Sequence, residues 1–261
     1  MKSFRLLLPA LATLLALFVV PQLMLLSLTG GSSVWARLLD PLYGTIFLRS
    51  VAMAFATTLI TLAVGFPVAW ALVRAVSAKW RGPLLLLVTL PLWTSVLVKL
   101  YAWVFLLRSG GLLSRLLTWF GSDAPSLLYT TTSVAIGQLY VELPYMILPI
   151  YASLERIDRS ILDAAQDLGA TPLTAMRRVV IPIAAPGIIA GCVLVFVPSL
   201  GSVLVPDLLG GAKTAWIGTL ITGQFTTARD PAFGSAMAFA LSVLTLGAFL
   251  LFGRFIAKAQ E

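Results

Sequence analysis

Long apolar runs alternate with short polar stretches along nearly the whole chain, and each run has membrane-crossing length. A spanning helix needs about 20 mostly apolar residues. Residues 6–28, 47–73, 83–107, 130–154, 186–205 and 232–256 meet that requirement. The pattern predicts an all-α integral membrane protein with six transmembrane helices, built as a single domain over residues 1–261. The first run follows Lys2 and Arg5, as the core of a signal peptide would. Its length exceeds the about 7–15 residues of such a core and no A-x-A-like site closes it, so an uncleaved helix is expected. Between the runs, residues 29–46 and 108–129 are rich in Gly, Ser, Pro and Asp, residues 206–231 include Gly210 and Gly211, and all three read as irregular loops. Two readings stand for them: a vestibule or partner contact, and plain connectors.

Composition agrees. Hydrophobic residues make up 59% of the chain and charged residues 11%, and the mean hydropathy is +1.00. A soluble domain carries about a quarter charged residues. The net charge of +8 would suggest nucleic acid in a soluble protein. Here the basic residues flank apolar spans, so membrane orientation explains them and no nucleic-acid partner is expected. Histidine is absent, which removes the commonest metal ligand and acid–base group, and no metal site is expected. Cys192 is the single cysteine and reads as a small core residue.

With the N-terminus inside, Lys2, Arg5, Arg74, Lys79, Arg81, Arg156, Arg159, Arg177, Arg178, Arg254 and Lys258 fall on the cytoplasmic side. Arg37, Arg49, Arg108, Arg115, Lys213 and Arg229 fall outside, eleven against six, with Lys99 within a span. The excess marks the cytoplasmic face, so both termini and the segment 155–185 are expected there.

Residues 163–182, DAAQDLGATPLTAMRRVVIP, interrupt the apolar pattern. Asp163 suits the start of a helix, and Ala164 and Ala165 give it a smooth face. Gly169 is a helix stop that tolerates a left-handed backbone. After Ala170, Thr171 and Pro172 form an N-cap with proline at the first helical position. The second helix is expected over residues 173–181, with Arg177 and Arg178 near its C-terminal end and Pro182 closing it. A bare connector needs none of this. The segment resembles the coupling loop of membrane permeases of binding-protein-dependent ABC importers. That pattern is E-A-A, three residues, glycine, nine residues, an aliphatic, one residue, an aliphatic and proline. Asp163, Ala164, Ala165, Gly169, Val179, Ile181 and Pro182 meet every spacing, with Asp for Glu and Val for the commoner Ile.

Further segments resemble the polyamine branch of that family: LLDPLY (38–43), LPLWTSVLVKLY (90–101), VELPYMILPIYASLERID (141–158), PGIIAGCVLV (186–195) and PDLLGGAK (206–213). The resemblance implies a type I ABC importer permease-like bundle with cytoplasmic coupling helices, multi-pass in a bacterial inner membrane. It implies a non-catalytic subunit forming half of a translocation pathway for a cationic solute, spermidine or putrescine. Expected partners are an ABC ATPase dimer, a second similar permease, an external substrate-binding protein and membrane lipid. No cofactor is expected on this chain; ATP and Mg belong to the partner ATPase. Iron(III), sulfate and thiamine permeases share the framework and remain alternatives. An ion-coupled secondary transporter is a further rival, though internal repeats around a midplane ion site are not apparent.

Charged groups at membrane depth are functional candidates. Glu142 lies near the middle of the fourth run, followed by Pro144, which frees a backbone carbonyl. Two readings remain open: a substrate-pathway carboxylate, and a structural partner for Lys99. Asp207 sits at the outer mouth of the fifth run, placed either to attract a cation or to cap. Trp93, Tyr101, Tyr140 and Tyr145 offer ring faces to an ammonium, or pack as interfacial aromatics. Gly210, Gly211, Ala212, Lys213 and Thr214 imitate a phosphate loop. Ala212 stands where that motif needs glycine, so no nucleotide site is expected.

Overall fold

The computed structural model describes residues 2–119, 127–211 and 215–258. Every regular element among the described residues is helical. The centre is formed by α3 (Pro41–Arg74), α7 (Thr131–Leu154) and α10 (Ile181–Leu200), whose mutual contacts are the most extensive in the molecule; the intervening and flanking helices are numbered in chain order below. Small residues make the approach possible. Gly65 of α3 and Gly191 of α10 both abut Met146 of α7, where an added Cβ would lie 2.9 Å from the Met146 Cγ and 2.8 Å from its Sδ respectively. At Gly187 a Cβ would collide with the Ser153 hydroxyl and the Pro149 carbonyl. Met146, Ile150, Leu154, Ala69 and Ala184 are fully enclosed at this seam.

α1 (Lys2–Leu28) lies against α12 (Pro231–Lys258), where Gln22 Nε2 donates to Ser242 Oγ at 3.4 Å. α2 (Ser32–Leu38) follows α1 after a bend of 98° and returns to α12. Arg37 donates to Asp230 at 2.8 Å and stacks 4.2 Å from the Phe233 ring centroid. The Arg37 guanidinium, with the Phe233 amide, holds the Asp230 carboxyl below the usual carboxylate range. α11 (Ile217–Thr226) is pinned by its first amide, which donates to Ser50 Oγ of α3 at 3.0 Å.

Five helical stretches are long and apolar enough to cross a membrane: Pro41–Arg74, Val96–Leu116, Thr131–Leu154, Pro172–Leu200 and Pro231–Arg254. The bent pair Ala12–Leu28 and Ser32–Leu38 makes a sixth if counted as one span.

Several boundaries differ from the sequence reading. The run 83–107 is broken: α4 (Ala78–Thr89) and a 3-10 turn (Leu90–Trp93) lead through extended Thr94 and Ser95 into α5 (Val96–Leu107). The second span starts earlier than residue 47, because Asp40 accepts the Leu42 amide and Pro41 takes the first turn of α3. The segments 29–46, 108–129 and 206–231 are not irregular throughout. They contain α2, α6 (Leu112–Trp119), a π turn (Pro206–Gly210) and α11. Burial overrides their loop-like composition: Val34, Leu38, Leu220 and Ile221 pack around the enclosed Ile217, Phe233 and Met237. Residues 120–126 and 212–214, including Ala212, Lys213 and Thr214, lie outside the described residues. α10 ends at Leu200, short of residue 205.

Gly187→Ala should lower the melting temperature of the purified protein in detergent. Its Cβ would meet a backbone carbonyl that no rotamer change relieves, and overpacking of this kind costs about 1–3 kcal/mol. An unchanged melting curve would show that the α7–α10 seam is looser than described.

Candidate functional site

The polar hairpin at one end of the bundle is built from two caps and a wide turn. α8 (Arg159–Asp167) starts at Asp158, whose side chain accepts the Ser160 amide at 3.1 Å. Asp163 therefore lies mid-helix and exposed rather than at the start, because Asp158 takes the capping place. The C-terminal end closes through two bonds: Gly169 N–H donates to the Gln166 carbonyl at 2.8 Å, and Ala170 N–H to the Ala165 carbonyl at 3.0 Å. That pairing is a Schellman motif, which needs a left-handed residue after the cap. Gly169 supplies it with φ 83°. Thr171 accepts the Thr174 amide at 3.3 Å, with Pro172 opening α9 (Pro172–Ala175).

Pro182 does not end the second helix. A π turn (Met176–Val180) joins α9 to α10, so Pro172–Leu200 runs on as one apolar rod. A proline ring clashes with the carbonyl four residues back and removes a donor. The wider π turn, where Ile181 N–H reaches the Met176 carbonyl, absorbs that misfit. Buried Ala175 and Val180 and half-buried Met176 root the hairpin in the bundle. Its outer surface carries exposed Ala164, Gln166, Asp167, Arg177 and Arg178, with Ala165 and Ala170 half-buried. Leu168 is 90% exposed and Leu173 61% exposed. Two exposed apolar side chains thus flank the glycine turn, a feature of the kind found at interaction surfaces.

The second group of candidates divides between the interior and the surface. Glu142 is enclosed among the central helices. Its Oε1 lies 3.4 Å from Gln138 Nε2, which also donates to Ser199 Oγ of α10 at 3.1 Å, while Oε2 has no partner. Among the described residues no ion pair joins Glu142 to Lys99. Lys99 Nζ instead donates to the Pro91 carbonyl at 2.7 Å, so the structural-pair reading does not hold in its direct form. Gln138 leads on to a cavity of about 10 Å³ lined by Ser50, Thr57, Ser199 and Trp216.

Tyr140 packs edge-on against Trp103 of α5, with centroids 5.7 Å apart. Trp93, Tyr101 and Tyr145 are exposed and, among the described residues, make no ring contact. Asp207 is exposed on the π turn (Pro206–Gly210), which is tied to α7 where Tyr129 N–H and Ser133 Oγ both donate to the Leu209 carbonyl. Thus Trp93, Tyr101, Tyr145 and Asp207 are each exposed, while Glu142 is buried in this conformation. The sequence reading passed over Gln138, Ser199, Trp103 and Asp158. Gln138 carried a signal, being a polar residue one helical turn before Glu142 inside an apolar run.

These features define a polytopic helical membrane protein with an exposed, doubly capped hairpin at one end. The chain belongs to the family of binding-protein-dependent transport system inner membrane components, whose model matches residues 63–260, and it is a permease subunit of an ABC importer. It is 42% identical over 219 residues to the spermidine/putrescine transport system permease protein PotB of Escherichia coli (strain K12), covering 83% of this chain and 79% of that protein. It is 41% identical over 212 residues to the same-named protein of Haemophilus influenzae, covering 80% and 74%. Among solved structures, a chain of a bacterial ABC transporter involved in import of the acidic polysaccharide alginate superposes with a TM-score of 0.80. That match covers 100% of this chain and 96% of the other at 18% identity, a likeness of fold.

Glu142→Gln should fold and melt as the parent does, since the amide keeps the shape and no ion pair is lost. Gln138→Leu should destabilise by about 1–3 kcal/mol, because it strands the buried groups that the amide serves. Detergent melting of both variants tests this. Marked loss with Glu142→Gln, repaired by adding Lys99→Gln, would restore the pair.

Proposed function

We propose that this permease carries a polyamine, spermidine or putrescine, inward across the bacterial inner membrane, powered by an ATPase docked on the 163–182 hairpin. The observation that carries the coupling half is the exposed, doubly capped hairpin rooted through the π turn in α10. ATP is cytoplasmic, so the hairpin lies inside, and with it both termini, in agreement with the basic residues. ATP and Mg bind the partner ATPase dimer. A second similar permease completes the pathway, and a periplasmic binding protein delivers the substrate. Closure of the ATPase dimer pulls on the hairpin, and the rod from Pro172 to Leu200 passes that movement to the far side as a rigid-body step.

The substrate half is supported by likeness to the two PotB proteins and by the chemistry of the outward-facing groups. Asp207 offers charge near the outer mouth, where a cation is attracted but also screened. Trp93, Tyr101 and Tyr145 offer ring faces, each worth about 0.5–1 kcal/mol to an ammonium at an exposed site. Glu142, enclosed in this conformation, meets substrate only if the bundle opens. Uptake of labelled spermidine and putrescine by proteoliposomes holding the full complex tests the reading. Failure to carry either one, with sound binding-protein docking, would overturn it.

Gly169→Val should abolish most uptake while the protein still inserts. The left-handed backbone at φ 83° costs a β-branched residue at least about 1–2 kcal/mol, and open space around the site means that backbone strain is the cause. Uptake at the parental rate with the ATPase bound would remove the hairpin from coupling.

A further inference from the structure

The break in the third apolar stretch has an internal fastening. Thr94 and Ser95 leave the helix, with φ −99°, ψ 148° and φ −58°, ψ 134°. Backbone that leaves a helix inside a membrane must find its hydrogen bonds within the protein. Three donors converge on one oxygen here. The Pro91 carbonyl accepts Lys99 Nζ at 2.7 Å, Thr94 Oγ1 at 3.0 Å and Thr94 N–H at 3.4 Å. Lys99 is 8% exposed. Its side chain reaches back from the first turn of α5 across the whole break. The carbonyl end of a half-helix favours a cation, and broken helices in transporters supply such ends beside the transport path. A buried lysine that donates to a backbone carbonyl, while the acid enclosed on α7 takes its contact from Gln138 instead, is an expensive arrangement if its purpose is stability alone.

The fastening sits beneath an unusual exposure. Trp93, the last residue of the 3-10 turn, is 86% exposed, and Tyr101, two residues beyond Lys99, is 52% exposed. The angle at which α4 meets α5 decides where the Trp93 ring lies, because a ring 86% exposed is held mainly through its own backbone. We propose that Lys99 is a positioning residue for transport: by holding the Pro91 carbonyl it fixes the break and presents Trp93 to a substrate ammonium. The substrate arm rests on the polyamine reading above; the hold of Lys99 on the break does not.

The test uses the full complex with Cys192→Ala and spin labels at positions 87 and 105, exposed sites on either side of the break. Lys99→Met should broaden or shift the distance distribution, and Lys99→Arg, which can still donate, should restore it. Thr94→Val removes a lesser donor and should give a smaller change in the same direction, and it serves if Lys99→Met does not assemble. In proteoliposomes at fixed binding-protein concentration, Lys99→Met should raise the spermidine concentration for half-maximal uptake about two- to fivefold, the loss expected for one exposed cation–π contact. Uptake is normalised to assembled complex. In a Trp93→Ala background Lys99→Met should add nothing further. Unchanged distances, or losses that add in the double variant, would overturn the proposal. Absence of spermidine and putrescine uptake by the parent complex would overturn the polyamine reading instead, and the distances would still decide the hold of Lys99.

Discussion

The close approach of α3, α7 and α10 is the constraint on which the remaining structure depends. In lipid there is no hydrophobic gain in bringing two apolar helices together, so association rests on packing and interhelical hydrogen bonds. Gly65, Gly187 and Gly191 let backbones approach until Met146, Pro149 and Ser153 fill the gap. That approach also brings Gln138 of α7 to Ser199 of α10, the polar contact that anchors the Glu142 carboxylate. The same cluster of enclosed side chains includes Ile157 and Val180, with Leu162 and Met176 against it. The base of the docking hairpin and the seam of the bundle are therefore one packed body.

A packed body of this kind transmits displacement only if its breaks are fastened. The chain leaves regular helix inside its apolar stretches at residues 94–95, widens at 176–180 and leaves it again near 201–203. The first is held by Lys99 and Thr94. The second is continuous hydrogen bonding of wider pitch. Beyond the third, the Leu209 carbonyl is gripped by Tyr129 N–H and Ser133 Oγ from the start of α7. Each irregular backbone finds partners within the fold, as the absence of water at that depth demands. Arg81 does the same at the end of α3, donating to the Val73 and Val76 carbonyls.

Much of this was legible in the sequence. Apolar runs of the right length gave the helical class, and the comparison with known permeases agrees with it. The punctuation around Gly169, Thr171 and Pro172 corresponds to the two caps seen in the hairpin. Where the reading went astray, tertiary contacts outweighed local signals. Pro182 looked like a terminator, yet a π turn accommodates it, and no residue pattern announces a π turn. The run 83–107 looked continuous because periodicity measures apolarity and not hydrogen bonding, so the break at Thr94 and Ser95 was hidden. The choice for Glu142 between a pathway group and a partner for Lys99 was left open by the sequence, because opposite charges in lipid invite pairing. Only coordinates show that a carbonyl reached Lys99 first.

The division between interior and surface then explains how one framework can serve different cargoes. The seam, the caps and the fastened breaks use glycines, hydroxyls and backbone groups, none of which recognises a solute. The chain shares its fold with an alginate importer at only 18% identity, so the framework tolerates nearly complete replacement of its side chains. The substrate reading proposed above puts recognition in groups that the framework leaves exposed. Trp93, Tyr101, Tyr145 and Asp207 are such groups, and each stands on or beside a rigid element. A ring left free on a fixed backbone loses little conformational entropy when it meets a ligand. Under that proposal the fastening beneath Trp93 belongs to recognition as much as the ring does.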